Sequence, residues 1–113
     1  MYRSMSAAPD VTIIMKTLAD PTRRAVYETI AKSGEITVGT LTKGSHVSQP
    51  AISQHVRALR EAGLVAERRA GRRVFYRAEP KALEPLIGWI GFYSRFWSER
   101  FDKIEQLLKE MDR

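Results

Sequence analysis

Arginine is concentrated in one stretch of this 113-residue chain. Between Ser53 and Arg77 there are seven arginines and two glutamates, so the stretch carries +5 of the net charge of +6. The seven are Arg57, Arg60, Arg68, Arg69, Arg72, Arg73 and Arg77. The planar guanidinium makes forked contacts to phosphate oxygens and to the edge of guanine. The clustering therefore favours a polyanionic partner, although solubilising surface charge would have the same composition.

A second set of polar side chains lies at the start of a predicted helix. Ser48 is a good N-cap residue, Pro50 is tolerated in the first turn, and Gly63 ends the helix. The apolar residues on one helical face are Ile52, Val56 and Leu59. The exposed face carries residue types that hydrogen-bond to base edges in a major groove, namely Gln49, Ser53, Gln54 and Arg57. An ordinary solvated face would look the same by composition alone.

A β-hairpin with arginines at its tip is predicted directly after this helix. Residues 64–69 and 73–78 have the pattern of two strands, and the turn between them contains Gly71 to supply a positive φ. A short helix over 38–43 precedes the polar helix, which makes a helix-turn-helix over 38–62. A hairpin in this position is a wing, here over 64–78, and its arginines can lie along a phosphate backbone.

Two further helices are predicted before this unit, over 11–19 and 21–32. Asp20 is a good N-cap for the second helix and Pro21 suits its first position. Residues 35–38 are enough only for a β-bridge or a stub strand. The fold class is therefore mainly α with a small β-hairpin, a winged helix-turn-helix.

From Pro80 the chain is predicted to be helical nearly to its end. About 27 residues from Glu84 would extend about 40 Å, longer than a domain this small is wide. The apolar stripe of this helix would face water in a monomer, so we predict a dimer with helix packed on helix. The predicted interface comprises Trp89, Phe92, Tyr93, Phe96, Trp97, Phe101, Ile104 and Leu108, with Val11, Ile14, Met15 and Leu18 of the first helix.

Length and composition indicate one domain over residues 1–113, with a core over 11–79 and a dimerisation helix over 80–111. No apolar run approaches the ~18 residues that a bilayer span needs, and the N-terminal residues lack the apolar stretch of a secretory signal. The absence of cysteine excludes disulfides, thiolate metal sites and cysteine nucleophiles. No serine has a base-and-orienter set, and no glycine-rich phosphate loop occurs. We expect a cytoplasmic, non-enzymatic protein without cofactor or metal, associated with double-stranded DNA and not with a membrane.

Three stretches of the chain resemble the ArsR-type winged-helix repressors of bacteria, in register over residues 11–80. They are LADPTRR at 18–24, SQPAISQH at 48–55 and LREAGLV at 59–65, and the wing sequence RRAGRRVFYR at 68–77 is similar too. The tail, FYSRFW at 92–97 followed by Arg100, Phe101 and Asp102, resembles one subgroup with an aromatic C-terminal dimer helix. The resemblance implies a homodimer that represses transcription by occupying an operator, often beside its own gene.

Carried over by position, the resemblance also implies roles for individual residues. Residues 38–44 would support the recognition helix, from which Gln49, Ser53, Gln54 and Arg57 would meet bases or nearby phosphates. Ser48 would lie at the same surface. His55 would pack against its neighbours or contact phosphate. The wing residues that would meet the DNA backbone or an adjacent minor groove are Arg68, Arg69, Arg72 and Arg73.

Metal sensing, which the best-known members of this family perform, does not match this sequence. Where thiol sensors carry cysteines, near the start of the recognition helix, this chain has His46 and Gln49. The predicted C-terminal helix contains no histidine, the ligand that other sensors use there. The signal that releases DNA is left open. Two alternatives to a sequence-specific regulator also stay open, a winged-helix module for protein contact and a nonspecific DNA binder.

Overall fold

The structure, a computed structural model, describes residues 2–3 and 9–112. The helices are α1 (Val11–Leu18), α2 (Pro21–Ser33), α3 (Val38–Lys43), α4 (Gln49–Glu61) and α5 (Glu84–Met111), and the strands are β1 (Val65–Ala70) and β2 (Arg73–Ala78). This architecture confirms the predicted winged helix-turn-helix. Residues 1, 4–8 and 113 of the predicted domain lie outside the described part.

The first four helices each begin at a side chain that accepts a hydrogen bond from the first turn. Asp10 and Asp20 accept from the backbone N–H three residues further on, at 2.8 and 2.9 Å. Thr37 and Ser48 cap α3 and α4 in the same way. Each cap satisfies a backbone donor that the helix leaves unpaired, which is worth about 1 kcal/mol. Local side-chain chemistry therefore sets where these helices begin.

One apolar core holds the helices and the base of the hairpin together. It draws on α1 to α4, on β1 and on the segment before α5. Its buried side chains are Ile14, Val26, Tyr27, Ile30, Leu41, Ile52, Val56, Leu59, Leu64, Val65 and Ala82. The inward face predicted for α4 is confirmed, and this fixes which of its residues face solvent.

Helix α1 divides its apolar residues between the core and the surface, which corrects one predicted interface residue. Ile14 is 0% exposed and packs in the core of its own chain, so it has no surface to offer to a partner. Ile13 and Met15 are exposed, whereas Val11 and Leu18 are half-buried. Of the four residues predicted on α1, Met15 alone is exposed.

A two-residue turn closes the hairpin. Ala70 pairs with Arg73, so β1 extends one residue further than predicted and only Gly71 and Arg72 form the loop. Gly71 has a φ of +63°, the positive value that the first position of a type II′ turn requires. Glycine adopts this φ without a Cβ clash. The tip of the wing is therefore tight, with an arginine in the loop itself.

Isolated β-bridges extend the hairpin on both edges. Ile36 pairs with Tyr76 of β2, which confirms the bridge predicted within 35–38. On the other edge, Arg3 pairs with Glu67 of β1 through backbone hydrogen bonds of 2.9 and 3.3 Å. The sequence did not predict this second bridge, which attaches Arg3 to the wing.

Helix α5 projects from the body of the protein. It has 28 residues, none of them buried. At 1.5 Å per residue, this corresponds to a length of about 42 Å. The helix packs against α1, and Leu86 in its first turn reaches the edge of the core. The radius of gyration is 19.1 Å, against about 13 Å for a compact chain of this length. Within the described residues, no helix is both long and apolar enough to cross a bilayer.

Candidate nucleic-acid interface

Helix α4 presents a polar face to solvent because its apolar face is anchored in the core. The predicted base-contacting residues are all exposed on it, namely Gln49, Ser53, Gln54 and Arg57. Amide and guanidinium groups can each make two hydrogen bonds to one base, which is how the edges of base pairs are distinguished in a major groove. The structure therefore brings these four side chains to one accessible surface.

Arg57 forms an ion pair with Glu61 one turn further along α4. The Nε–Oε1 distance is 3.0 Å, and the two side chains are 72% and 50% exposed. Exposed pairs of this kind contribute only about 0–1 kcal/mol. A phosphate or a guanine edge can therefore replace Glu61 as the partner of Arg57 with little loss of free energy.

Ser48 and His55 lie at the margins of this face. The Ser48 hydroxyl accepts from the Ala51 N–H at 3.4 Å and can still donate its own proton. His55 is half-buried, and its Nδ1 atom is buried without a hydrogen-bond partner in the described residues. The pKa of the Asp20 carboxyl is lowered chiefly by the Arg23 N–H and further by the nearby His55. No three metal-ligating side chains cluster in the part of the chain that the structure describes.

The wing carries three of its predicted contact residues exposed and one engaged within the protein. The exposed residues are Arg69, Arg72 and Arg73. Arg68 instead donates two hydrogen bonds to the Glu35 carboxylate, with Nη2–Oε1 at 2.7 Å and Nε–Oε2 at 3.4 Å. These bonds hold the pKa of Glu35 below its usual value. Arg68 thus ties the wing to the segment between α2 and α3.

An ion pair between Arg60 and Glu67 joins α4 to β1, and sequence reasoning missed it. Opposite charges on either side of the turn at Gly63 are the available signal in the sequence. Gly63 has a φ of +83°, and the turn that it forms brings the two side chains together. The two predicted DNA-contacting elements are therefore coupled directly.

The apolar stripe of α5 is exposed, as the dimer prediction requires. Its predicted interface residues are at least 40% exposed, except for the half-buried Phe96. The rings from Trp89 to Phe101 contact one another in sequence, with centroids 5.0–6.2 Å apart. A groove of 580 Å³ along the helix is lined by four of these rings, Trp89, Tyr93, Trp97 and Phe101, together with Ile90, Ser94 and Ser98. Exposed apolar residues that the prediction did not include are Ile13, Ile87, Ile90, Leu107 and Met111.

A helix-turn-helix with an exposed polar recognition face, followed by an arginine-tipped wing, defines a winged-helix DNA-binding protein. Residues 18–68 match a helix-turn-helix domain family. The chain is 41% identical over 91 residues to an HTH-type transcriptional regulator of Mycobacterium tuberculosis, covering 80% of this chain and 81% of that protein. It is 46% identical over 69 residues to an arsenic resistance transcriptional regulator of Pseudomonas putida, covering 61% of this chain and about half (54%) of the relative.

Solved structures show the same likeness. An ArsR-like transcriptional regulator from a Rhodococcus species superimposes with a TM-score of 0.67 at 26% identity, covering 85% of this chain and 90% of that chain. The transcriptional repressor BigR from Xylella fastidiosa gives a TM-score of 0.58 at 34% identity, covering 74% of this chain and 85% of that chain. The chain belongs to the ArsR family of winged-helix, DNA-binding transcriptional regulators.

Proposed function

We propose that this protein is a homodimeric repressor of its own or a neighbouring operon and that it binds an inverted-repeat operator. The observation that carries the proposal is the presence, in one chain, of an exposed base-reading face on α4 and an exposed apolar stripe on α5. The first suits the base edges of DNA, and the second suits a protein partner. That a similar protein of Xylella fastidiosa is named a repressor supports the direction of regulation.

In this proposal α4 lies in the major groove and the wing lies along the backbone. The side chains that contact base edges are exposed on α4, namely Gln49, Ser53, Gln54 and Arg57. Ser48 and His55 contact phosphate at its margins. The wing residues that contact phosphates are Arg69, Arg72 and Arg73, with Arg68 holding the wing in place through Glu35.

The partner on the apolar stripe is a second copy of this chain. A long exposed apolar surface is rare on monomers, and a two-fold axis buries the same stripe on both chains. We propose an interface of Trp89, Phe92, Tyr93, Phe96, Trp97, Phe101, Ile104 and Leu108, joined on α1 by Met15 and by the accessible parts of Val11 and Leu18.

Such a dimer presents two recognition helices to one side of a duplex. Successive major grooves on that side are ~34 Å apart, so the half-sites lie about one helical turn from each other. Residues 1–113 act as one winged-helix unit, with 11–79 as its core and with 80–111, which contains α5 (Glu84–Met111), as its dimerisation segment. It works in the bacterial cytoplasm, where its DNA target lies.

Selection of bound duplexes from a random-sequence pool, followed by titration of the enriched duplex against salt, tests the proposal. We expect an enriched inverted repeat and a steep fall of affinity with salt, because each neutralised phosphate releases counterions. Salt-sensitive binding without enrichment would indicate a nonspecific DNA binder. Absence of binding would favour a module for protein contact.

A further inference from the structure

Five side chains form a continuous stack on one face of the wing. The Arg77 guanidinium lies 4.0 Å from the centroid of the Tyr2 ring, and Arg68 lies 5.9 Å from the same centroid. Arg68 is also 4.7 Å from the centroid of Phe75, and Arg73 is 5.1 Å from it. Cations and rings therefore alternate from the base of the wing to its tip, in the order Arg77, Tyr2, Arg68, Phe75, Arg73. We call this arrangement the arginine–aromatic stack.

The register of the hairpin explains why four of these side chains share a face. Arg68 lies opposite Phe75, and residues two apart on a strand point to the same side. Arg73 and Arg77 therefore flank Phe75 on that side of β2. A cation is attracted to the face of an aromatic ring, so the single ring of Phe75 orders two arginines.

Tyr2 joins the stack from outside the hairpin, and two contacts hold it there. The adjacent residue Arg3 makes the β-bridge to Glu67, which adds a row to the edge of the wing. The Tyr2 hydroxyl donates a hydrogen bond to the Glu35 carboxylate, which also accepts hydrogen bonds from Arg68. The ring is therefore fixed between Arg77 and Arg68.

We propose that Tyr2 and Phe75 are positioning residues that align the wing arginines, Arg73 and Arg77, before DNA is bound. The inference rests on the proposed contact between the wing and phosphates, and it extends that contact to Arg77, which is exposed on the same side of β2 as Arg73. A long side chain loses rotational freedom when it binds, and a side chain that is already ordered loses less. Tyr2 thus raises the affinity for DNA without contacting it, which gives a function to the segment that precedes α1.

Positioning has a signature that differs from direct contact. Removal of Arg77 takes away a phosphate contact, so both the affinity and the salt dependence fall. Removal of the Tyr2 ring leaves the number of neutralised phosphates unchanged. Affinity then falls while the slope of log K against log salt concentration stays as in the unmodified protein.

The experiment measures the dissociation constant over a range of salt concentrations on the duplex enriched by selection. The proteins compared are the full chain, three single variants (Tyr2→Ala, Tyr2→Phe and Phe75→Leu) and the double variant Arg73→Ala/Arg77→Ala. Tyr2→Ala is also introduced into the double variant. We expect Tyr2→Ala to weaken binding about two- to fivefold per wing, as the strength of exposed cation–ring contacts implies, with an unchanged slope. Tyr2→Phe, which keeps the ring, should bind nearly as tightly as the full chain. In the doubly substituted background, Tyr2→Ala should have little further effect.

Four results would overturn the inference. An unchanged affinity of Tyr2→Ala, or an equal loss in both backgrounds, would show that Tyr2 does not act through these arginines. A lower salt slope in Tyr2→Ala would mean that Tyr2 either contacts DNA or is needed for folding. Thermal unfolding of each variant identifies a folding defect. Phe75→Leu repeats the test at the other ring. If Arg73→Ala/Arg77→Ala has no effect on binding, the proposed wing contact fails and the inference fails with it.

Discussion

The Arg60 guanidinium, near the end of α4, is paired with the Glu67 carboxylate in β1, and the two side chains are only 19% and 21% exposed. Between them the chain turns at Gly63, and Leu64 and Val65 at the base of the hairpin are buried in the core. The pair joins the recognition helix to the wing across this turn. It therefore adds a polar contact to the apolar packing that holds together the two elements that we propose to contact DNA.

We expect Glu67→Gln to lower the free energy of unfolding by about 1–2 kcal/mol, because a half-buried guanidinium loses its counter-charge. Arg60→Met should have a similar effect. The combined variant should lose less than the sum of the two, because no uncompensated charge is then left. Urea denaturation measures all three, and strictly additive losses would contradict a direct interaction.

Gln54→Ala and Arg57→Ala should each cost about 1–3 kcal/mol of binding free energy for every hydrogen-bonded base that the side chain no longer reaches. Each should also relax the sequence preference at one position per half-site. Repeating the selection with each variant identifies that position. Gln106→Ala, which removes an exposed glutamine from α5, is the matched control and should select the same sequence as the unmodified protein. A variant of α4 that keeps both affinity and preference would argue against base reading by that residue.

Arg72→Ala should weaken binding to all duplexes by a similar factor. The residue lies in the loop at the tip of the wing, where a phosphate contact carries no sequence information. We expect the slope of log K against log salt concentration to decrease by ~1 per subunit. Salt titrations on the selected duplex and on a scrambled duplex measure this, and an effect confined to the selected duplex would indicate base readout by the wing.

Phe101→Glu should convert the protein into monomers and weaken operator binding strongly. The substitution places a charge within the apolar stripe of α5, where burial without a partner charge is unfavourable. Gln106→Glu adds the same charge at an exposed position about 140° around the helix from Phe101, outside the proposed interface, and should leave the dimer intact. Sedimentation velocity distinguishes the two variants. Dimers that persist in Phe101→Glu would place the interface elsewhere, with the exposed residues of α1 as the first alternative.

Glu35 should make stability depend on acid pH. Its hydrogen bond from Arg68, and next that from Tyr2, lower its pKa in the folded protein. The carboxylate therefore stabilises the fold above about pH 4.3, its unfolded value, and this contribution is lost as the pH falls through the folded pKa. Glu35→Gln should show a flatter loss of stability with acid than the unmodified protein. Urea denaturation between neutral pH and about pH 3 tests this, and parallel curves would mean that the Arg68 contact adds no pH dependence.

Much of the fold could be predicted because its signals are local. Asp20 and Ser48 cap the following helix through the backbone three residues away, and Gly71 closes a two-residue turn. The first strand of the wing was predicted one residue too early, because the pairing of Ala70 with Arg73 depends on strand register, which short-range pattern does not specify; the second strand was predicted correctly. The bridge of Arg3 to Glu67 could not be predicted, because it joins residues far apart in the sequence with no apolar pattern to indicate it.

For the candidate site, sequence alone determined which residue types occupy the exposed face of α4 and the tip of the wing. Helical periodicity and turn chemistry act over a few residues, so the local sequence is enough to predict their result. Only the tertiary structure decided which of those residues are engaged elsewhere. Ile14 is buried because α1 packs into the core, and Arg68 is held by Glu35, 33 residues away. Burial and ion pairing depend on distances in space, which the chain sets only when its elements pack.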